Sequence, residues 1–333
     1  VPIFGIVTTM TLDQKERVSL NSIGRIFAIF AGIVTGILLP LVRQSLGGWA
    51  TTVIVLSILS AAMMIPMCLF AKERVIEREK ARDGGAEENY TLRDMVECLR
   101  SNKYLLIFFA APLINSLLNI GATWGLYIAR YCLGGEEIAS FVSMAVIVPT
   151  LIGAAIAVQL CKKYDKFKIF YFSYMFALIL GIVRYIAGYE NMMVYVILNA
   201  LGGFPLGIAA ILQYQFTPDC YEYGQYKTGL KMRGVTFAAQ TFFTKLNGAI
   251  ATAVSVFALT LIGFKEGEGV IQAAGFADKL WTFSCLGSII GGIGTLLILR
   301  LYKLNDHDVQ LMSKCNNGEI TREEAEAQMI NRY

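Results

Sequence analysis

Long uncharged stretches alternate with short polar segments along most of the chain. Most of them reach the roughly 20 residues that an α-helix needs to cross the bilayer core. Six contain no Asp, Glu, Lys or Arg: residues 26–42, 50–71, 104–129, 138–161, 192–217 and 280–299. Two more contain one charge each, 169–189 with Arg184 and 234–264 with Lys245. The pattern therefore predicts eight transmembrane helices in an all-α polytopic membrane protein.

The composition agrees with this interpretation. Of the 333 residues, 56% are hydrophobic and only 16% are charged, and the mean hydropathy is +0.56. Soluble domains carry about 25% charged residues. We therefore expect the lipid bilayer to surround most of the chain.

Lys and Arg are unevenly distributed between the connections that join these spans. When the connections are taken alternately from the first, and Arg184 is counted with the connection that follows its span, 23 of the 29 basic residues fall on one side and 5 on the other, with Lys245 in the middle of its span. Basic residues are retained on the cytoplasmic side of a membrane. We therefore expect a multi-pass cell-membrane protein with both termini in the cytoplasm. The net charge of +4 follows from this topology and requires no nucleic-acid partner.

The longest polar segment, residues 72–103, separates two spans from six. It predicts four regions: the remainder of an N-terminal helix bundle (1–71), a central cytoplasmic loop (72–103), a C-terminal six-helix bundle (104–302) and a cytoplasmic tail (303–333). Apolar positions 92, 95 and 99 predict a surface helix within the loop. In the tail, Thr321 and Glu324 have the spacing of a capping box, which predicts a short helix. That helix is either a contact for a regulatory protein or part of a plain cytoplasmic tail.

The sequence contains no pattern that is typical of enzymes. The seven cysteines are scattered without metal-ligand spacing, the single histidine, His307, lies in the tail, and no Gly-rich phosphate loop is present. We therefore expect no catalytic residues, no bound metal in this part of the chain and no cofactor.

Polar residues inside the spans are candidates for a transport pathway, because they are costly in lipid. Lys245 lies near the middle of its span, beside Gln240 and Thr241. An amide stripe formed by Asn115 and Asn119 occupies a second span, followed by the aromatic Trp124. These residue types bind sugars, because amides meet hydroxyl groups and an aromatic ring covers an apolar sugar face. The alternative is that they form hydrogen bonds between helices.

A further amide, Gln213, lies near the end of the span at 192–217, beside Gln215. It is a candidate for substrate contact, and the alternative is again a hydrogen bond between helices. The stretch "PDCYEYGQYKTGLKMRG" at 218–234 follows directly and is unusually polar for a connection between two apolar segments. We interpret it as a cytoplasmic loop.

Two segments resemble the glycoside–pentoside–hexuronide:cation symporter family, which is typified by the melibiose carrier and has the major facilitator fold. They are "VPIFGIVTTMTLDQKERVSLNSIGRIFA" at the start and "PDCYEYGQYKTGLKMRGVTFAAQTFFTKLNGA" at 218–249. The similarity extends to about residue 305. It implies a partial major facilitator fold, with about eight of twelve transmembrane helices and the N-terminal helices missing, since the chain begins within the family's fourth helix.

The resemblance also implies roles for individual residues. Phe4 matches an aromatic residue that stacks on sugar, and Arg25 matches an arginine that contacts sugar. Gln240, Thr241 and Lys245 match residues that face the sugar cavity. The residues that match the family's cytoplasmic gate are Asp219, Glu222, Tyr223 and Lys227. A merely solvated loop is the alternative for this last group.

The chain also departs from the family pattern. Ala210 stands where the melibiose carrier has a tryptophan, and Gln225 replaces an acid. The carboxylates of the family's cation site are expected upstream of Val1. The resemblance therefore implies Na⁺ or H⁺ as coupling cation without deciding between them.

The function that these observations predict is secondary active transport, with symport of a sugar or glycoside (an oligosaccharide, a pentoside or a hexuronide) and a cation by alternating access. Two alternatives remain. One is a major facilitator carrier of another organic solute without cation coupling, and the other is a membrane sugar sensor that does not transport.

Overall fold

The computed structural model describes residues 20, 23–24, 27–28, 30–31, 49–70, 92–135, 137–230, 233–265 and 271–333. The chain divides into two compact units, Val1–Asn89 and Tyr90–Tyr333. In the first unit, helix α1 spans Trp49–Phe70 and coincides with the span predicted at 50–71. It exposes large apolar side chains such as Ile58 and Met63, as a lipid-facing helix does. Most of the span predicted at 26–42 lies outside the described residues.

The described part of the second unit is helical. Its helices are α2 (Leu92–Ser101), α3 (Lys103–Leu118), α4 (Gly125–Cys132), α5 (Glu137–Leu160), α6 (Lys166–Ala187), α7 (Met192–Leu212), α8 (Phe216–Thr228), α9 (Arg233–Leu261), α10 (Phe276–Leu299), α11 (Asp306–Asn316) and α12 (Arg322–Gln328), with a 3₁₀ helix at Ile120–Thr123. Helix α2 confirms the helix predicted in the polar segment. Helix α12 confirms the one predicted in the tail, and the capping box between Thr321 and Glu324 is formed.

Within the described residues, five helical segments are long and apolar enough to cross a membrane. They are Phe141–Leu160, Lys166–Ala187, Met192–Thr228, Arg233–Leu261 and Phe276–Leu299. Together with the further apolar helices α1 and α3, they confirm the prediction of an all-α polytopic membrane protein.

The prediction of one continuous span at 104–129 is wrong, because the helix is interrupted. Helix α3 ends at Leu118, the 3₁₀ helix follows, and α4 begins at Gly125. The break lies where this segment passes close to α10, since a Cβ atom at Gly121 would overlap the side chain of Ser284. Asn and Gly are also weak helix formers. Within the 3₁₀ helix, the Thr123 hydroxyl forms a hydrogen bond with Ser255 on α9.

The interpretation of 218–234 as a loop is also wrong. Helix α8 covers most of this stretch and ends at Gly229, whose φ of 73° gives the left-handed conformation that closes many helices. The reason is burial: one side of α8 places Phe216, Cys220 and Tyr223 in the apolar core. The polar composition of the stretch was the reason to interpret it as a loop, but the side chains of Phe216, Cys220 and Tyr223 pack inward.

Close approach between α5 and α7 depends on glycine. A Cβ atom at Gly207 would overlap the carbonyl oxygen of Thr150, and one at Gly153 would overlap the carbonyl oxygen of Phe204. Small residues let the backbones of membrane helices approach closely. The backbones of α5 and α7 are therefore in close contact at these two glycines.

The apolar core of the second unit is divided into two clusters. The first lies where α3 begins and includes Tyr104, Phe108, Phe216, Tyr302 and Met312. The second lies beyond the break in that helix and includes Trp124, Ile128, Leu280, Trp281 and Cys285. Two of the candidate site residues, Asn115 and Asn119, lie between the residues of these two clusters along the chain and line a cavity.

Candidate functional site

The middle of α9 exposes small and polar side chains. Between Phe243 and Val256 the exposed residues are Thr244, Lys245, Gly248, Ala249, Thr252 and Ala253, which we call the small-residue face of α9. Helix α6 differs, since its exposed side chains are large and apolar, among them Phe172, Phe176, Ile179 and Ile186. Large apolar side chains suit lipid, whereas small residues suit contact with another helix or a water-filled path.

Lys245 is the one charged residue on this face. It lies about 18 Å along the helix axis from Arg233, which is too deep for its ammonium to reach the membrane surface easily. No carboxylate among the described residues forms an ion pair with it. A lysine exposed to hydrocarbon at this depth would cost several kcal/mol, so the face that carries it belongs beside water or a polar ligand.

The other predicted residues of α9 surround this lysine. Gln240 is buried and Thr241 is half-buried. The Thr241 hydroxyl donates to the Phe237 carbonyl oxygen at 3.0 Å, so it still offers its oxygen as an acceptor. The side-chain oxygen of Asn247 is buried and accepts no hydrogen bond from the part of the chain that the structure describes. The helix therefore places one ammonium, one threonine hydroxyl oxygen and one amide oxygen that can accept hydrogen bonds within two turns.

A separate cavity of about 400 Å³ lies inside the second unit, between α3, α5, α6, α7 and α10. Two of the predicted sugar-binding residues, Asn115 and Asn119, line it. Asn119 accepts a hydrogen bond from the Ser288 hydroxyl on α10 at 2.6 Å. Gly291 on α10 lies against α3, since a Cβ atom at Gly291 would lie 3.1 Å from the Asn115 side-chain oxygen.

Arg184 lines the same cavity and was not among the predicted site residues. Its guanidinium Nη1 donates to the Asn199 side-chain oxygen at 3.2 Å, and its Nε is buried and donates no hydrogen bond to any described residue. The guanidinium carbon also lies 6.0 Å from the centre of the Trp281 ring. The charge of Arg184 inside an apolar stretch was the signal that could have identified it.

The structure does not bring the remaining predicted residues into this cavity. Trp124 is fully buried in the second apolar cluster, and its indole nitrogen has no partner. Gln213 is half-buried and caps α7, with its backbone N–H donating to Ala209. Neither residue lines the cavity of Arg184. The sugar-contact roles of Trp124 and Gln213 stay predictions, as do those of Phe4 and Arg25, which lie outside the described residues.

The predicted gate residue Asp219 lies in a buried ion-pair cluster. Lys166, the first residue of α6, places its ammonium 2.8 Å from one Asp219 oxygen and 2.9 Å from an Asp306 oxygen. Two further hydrogen bonds connect the start of α6 with the start of α11. The Asp306 N–H donates to the Asp165 carboxylate, and the Lys166 N–H donates to the Asp306 carboxylate. The cluster joins α6, α8 and α11, and the sequence had suggested only one of its members.

The other predicted gate residues lie along the same helix. Glu222 accepts a hydrogen bond from the Asn316 amide at 2.9 Å, which ties α8 to α11. Tyr223 is buried, and the Lys227 ammonium lies 5.8 Å from the centre of its ring. Gln225, which replaces a family acid, accepts a hydrogen bond from the hydroxyl of Tyr221 at 2.6 Å. The contacts of Asp219 and Glu222 thus lie within one unit, and a gating role stays a prediction.

The tail packs against this end of the bundle. Asp308 is completely buried and accepts hydrogen bonds from the Ile330 and Asn331 N–H groups and from the Tyr333 hydroxyl. Residues 303–333 therefore belong to the same compact unit as the long helices. The described contacts of the tail are within the chain, and a contact with a regulatory protein stays a prediction.

Comparison with known proteins places the chain in a family. The family described as MFS/sugar transport protein matches residues 1–306. The chain belongs to this family. Its members are major facilitator transporters and not enzymes, which agrees with the fold and with the polar residues inside the spans.

Individual relatives are similar at low identity. The chain is 25% identical over 289 residues to the uncharacterized symporter YnaJ of Bacillus subtilis, covering 82% of this chain and 60% of the relative. It is 24% identical over 325 residues to the putative glycoside/cation symporter YagG of Escherichia coli, covering 94% and 68%. The isoprimeverose transporter of Lactiplantibacillus pentosus is 22% identical over 282 residues, covering 79% and 56%. The chain thus spans about 60% of the length of YnaJ.

Proposed function

We propose that this protein is a sugar or glycoside:cation symporter that works by alternating access, and that the small-residue face of α9 lines its substrate pathway. The observation that carries the proposal is the exposure of Lys245 halfway along a membrane-length helix, at the start of a stretch between the exposed Phe242 and Val256 in which every other exposed residue is small. A face of this kind is stable beside a water-filled path and unfavourable beside acyl chains.

The chemistry of the face fits an oxygen-rich substrate. The Lys245 ammonium donates charged hydrogen bonds to sugar hydroxyls or to the carboxylate of a uronate. The neighbouring Gln240 and Thr241 add donors and acceptors of the kind that read hydroxyl groups. A cation on the wall also favours anionic glycosides, so a hexuronide or glucuronide is a natural substrate class. The name of the relative YagG, a putative glycoside/cation symporter, supports glycosides as the broader substrate class.

Cation coupling is part of the proposal. Several relatives are named symporters, and YagG is named for a cation. The coupling ion is Na⁺ or H⁺. In this scheme, binding of the cation and the sugar together permits the two halves of a major facilitator protein to rock about the central site.

The direct test is uptake by the intact protein in proteoliposomes. Labelled α-galactosides, β-xylosides and β-glucuronides are offered with and without an inward Na⁺ gradient and, separately, with and without a pH gradient. The proposal expects uptake of one sugar class that one gradient stimulates. Uptake of a sugar that is indifferent to both gradients would remove the coupling and leave a uniporter. A protein that binds sugar but shows no counterflow would be a sensor.

A further inference from the structure

A groove on the outer surface of the second unit is unrelated to the α9 face. It has a volume of about 470 Å³ and runs between α6, α7 and the end of α5. Its walls are apolar and include Leu160, Ile169, Phe172, Phe176, Phe204 and Ile208. The Phe172 and Phe176 side chains are 59% and 45% exposed, so the groove opens outward.

The length of the groove corresponds to one leaflet of a bilayer. Lys168 lies at one end of its lining and Phe176 towards the other. These residues are eight positions apart on α6, which corresponds to about 12 Å along the helix axis. Half of a hydrocarbon core of about 30 Å is about 15 Å. An acyl chain lying in the groove would therefore run from the membrane surface to near the bilayer centre.

The surface end of the groove is basic. Lys162, Lys163 and Lys168 are exposed, and Lys168 itself lines the groove together with the exposed Tyr164. The acid between them, Asp165, is already engaged: one oxygen accepts from the Phe167 and Lys168 N–H groups, and the other accepts from the Asp306 N–H. The three lysines are therefore left to attract an anion at the height of the lipid headgroups.

We propose that this groove is a binding site for an anionic phospholipid. The acyl chains occupy the apolar channel between α6 and α7, and the phosphate lies among Lys162, Lys163 and Lys168. Clusters of basic residues at the membrane edge of a helix bundle attract anionic headgroups, with a contribution from each charge. The apolar channel adds the burial of chain methylenes, which a free anion in solution lacks.

The neighbouring Lys166 differs in its surroundings from Lys162, Lys163 and Lys168, which we call the rim lysines. Its ammonium turns inward to Asp219 and Asp306 and is buried. The rim lysines form no ion pair with any carboxylate among the described residues and remain available at the surface end of the groove. The positive charge of the site therefore comes from three lysines outside the ion-pair cluster, and it is opposite to the charge of the lipid.

The test is native mass spectrometry of the intact protein in detergent, titrated with phosphatidylglycerol and, in parallel, with phosphatidylcholine of the same acyl chains. The variant K162Q/K163Q/K168Q removes the basic rim. A charge-matched control, K265Q/K279Q/K303Q, removes three exposed lysines that do not line the groove. Size-exclusion profiles verify that both variants are folded; should the rim variant fail this check, the single change K168Q is measured in its place.

The proposal expects wild type and control to retain phosphatidylglycerol equally. The rim variant should bind it roughly 100-fold less tightly, because each of three lysines contributes a factor of about five near an anionic lipid. For K168Q alone the expected loss is about fivefold. Equal retention by the rim variant and wild type would overturn the proposal. Equal retention of phosphatidylcholine and phosphatidylglycerol by wild type would also overturn it, because the groove would then bind acyl chains without regard to charge.

Discussion

Two lysines in the second unit lie in opposite surroundings, although both are within membrane-length helices. Lys166, at the start of α6, is buried and has carboxylate oxygens at 2.8 and 2.9 Å. Lys245, in the middle of α9, is exposed and forms no ion pair with any described carboxylate. The charge of Lys166 is neutralised by carboxylates of the same unit. The charge of Lys245 requires water or a polar ligand from outside the unit.

The difference separates a structural charge from a functional one. A buried ion pair costs desolvation that its partners largely offset, so removing one member leaves an uncompensated charge. An exposed lysine stabilises the fold little, and it is retained in a membrane helix only at a high cost in lipid. We infer that Lys166 fixes the end of the bundle, and that Lys245 serves the substrate pathway.

The largest expected effect comes from removing Lys166. The variant K166M should lower the free energy of unfolding by about 3–5 kcal/mol, because Asp219 and Asp306 are then left close together without a cation. Thermal unfolding of the purified protein in detergent measures this. The matched variant K245M removes an exposed lysine and should change stability by less than about 0.5 kcal/mol. Equal destabilisation by the two variants would erase the distinction between the two lysines.

The second prediction concerns substrate binding by Lys245. K245Q should weaken binding of the transported sugar by roughly 10- to 100-fold, which corresponds to the loss of one charged hydrogen bond of about 1.5–3 kcal/mol. K245R should recover part of the affinity, since it keeps the charge. Isothermal titration of the intact protein with its sugar gives both values. Wild-type affinity in K245Q would remove this residue from the site.

The third prediction concerns the tail at the Lys166 end of the bundle. Burial alone raises the pKa of Asp308, but the hydrogen bonds from the Ile330 N–H, the Tyr333 hydroxyl and the Asn331 N–H outweigh it and lower the pKa below the ordinary value of 3.8. A carboxyl group with a lowered pKa stabilises the folded state fully above its ordinary pKa, and this contribution is lost as the pH falls through the lowered value. Docking of the tail should therefore persist at pH 5 and weaken below about pH 4.

The variant D308N isolates this carboxylate. It should weaken docking of the tail by about 1–2 kcal/mol at pH 7, because an amide accepts fewer of these hydrogen bonds. Hydrogen exchange of residues 317–333, corrected for the intrinsic effect of pH, measures the change. A tail that exchanges equally slowly in D308N would show that apolar packing of Met329 and Tyr333 holds it alone.

The smallest effect is expected at an exposed ion pair on the same tail. Arg322 and Glu326 lie 3.0 Å apart at i and i+4, with both side chains more than half exposed. Exposed pairs of this kind contribute little to stability. R322Q should leave the unfolding midpoint unchanged within error. A clear shift would mean that the contact of Arg322 with the ring of Tyr226 supports the docked tail.

The sequence predicted the fold because the signal for a membrane helix is local. Long uncharged stretches, such as the one that became α10, identify spans without any knowledge of their neighbours. The break between Leu118 and Gly125 could not be predicted in this way, since it depends on the close approach of Gly121 to Ser284. The same holds for α8, because the residues on other helices against which its tyrosines pack cannot be identified from the local sequence.

The site was predictable only in part for a similar reason. Lys245 and Arg184 were visible as single charges within apolar stretches, but their surroundings were not. Lys166 counted only as one more basic residue of a connection, because its partners Asp219 and Asp306 are 53 and 140 positions away. Long-range pairs of this kind leave no periodic pattern in the sequence, so their environment follows from the fold.

The measurement that most directly tests the central claim is the water accessibility of position 245. In a background free of the seven native cysteines, K245C and the lipid-facing control I179C are treated with a charged, membrane-impermeant thiol reagent, with and without sugar. The account predicts that K245C reacts and that the transported sugar slows the reaction, while I179C remains unmodified. A K245C variant that is as unreactive as I179C would contradict the claim that the small-residue face of α9 lines the substrate pathway.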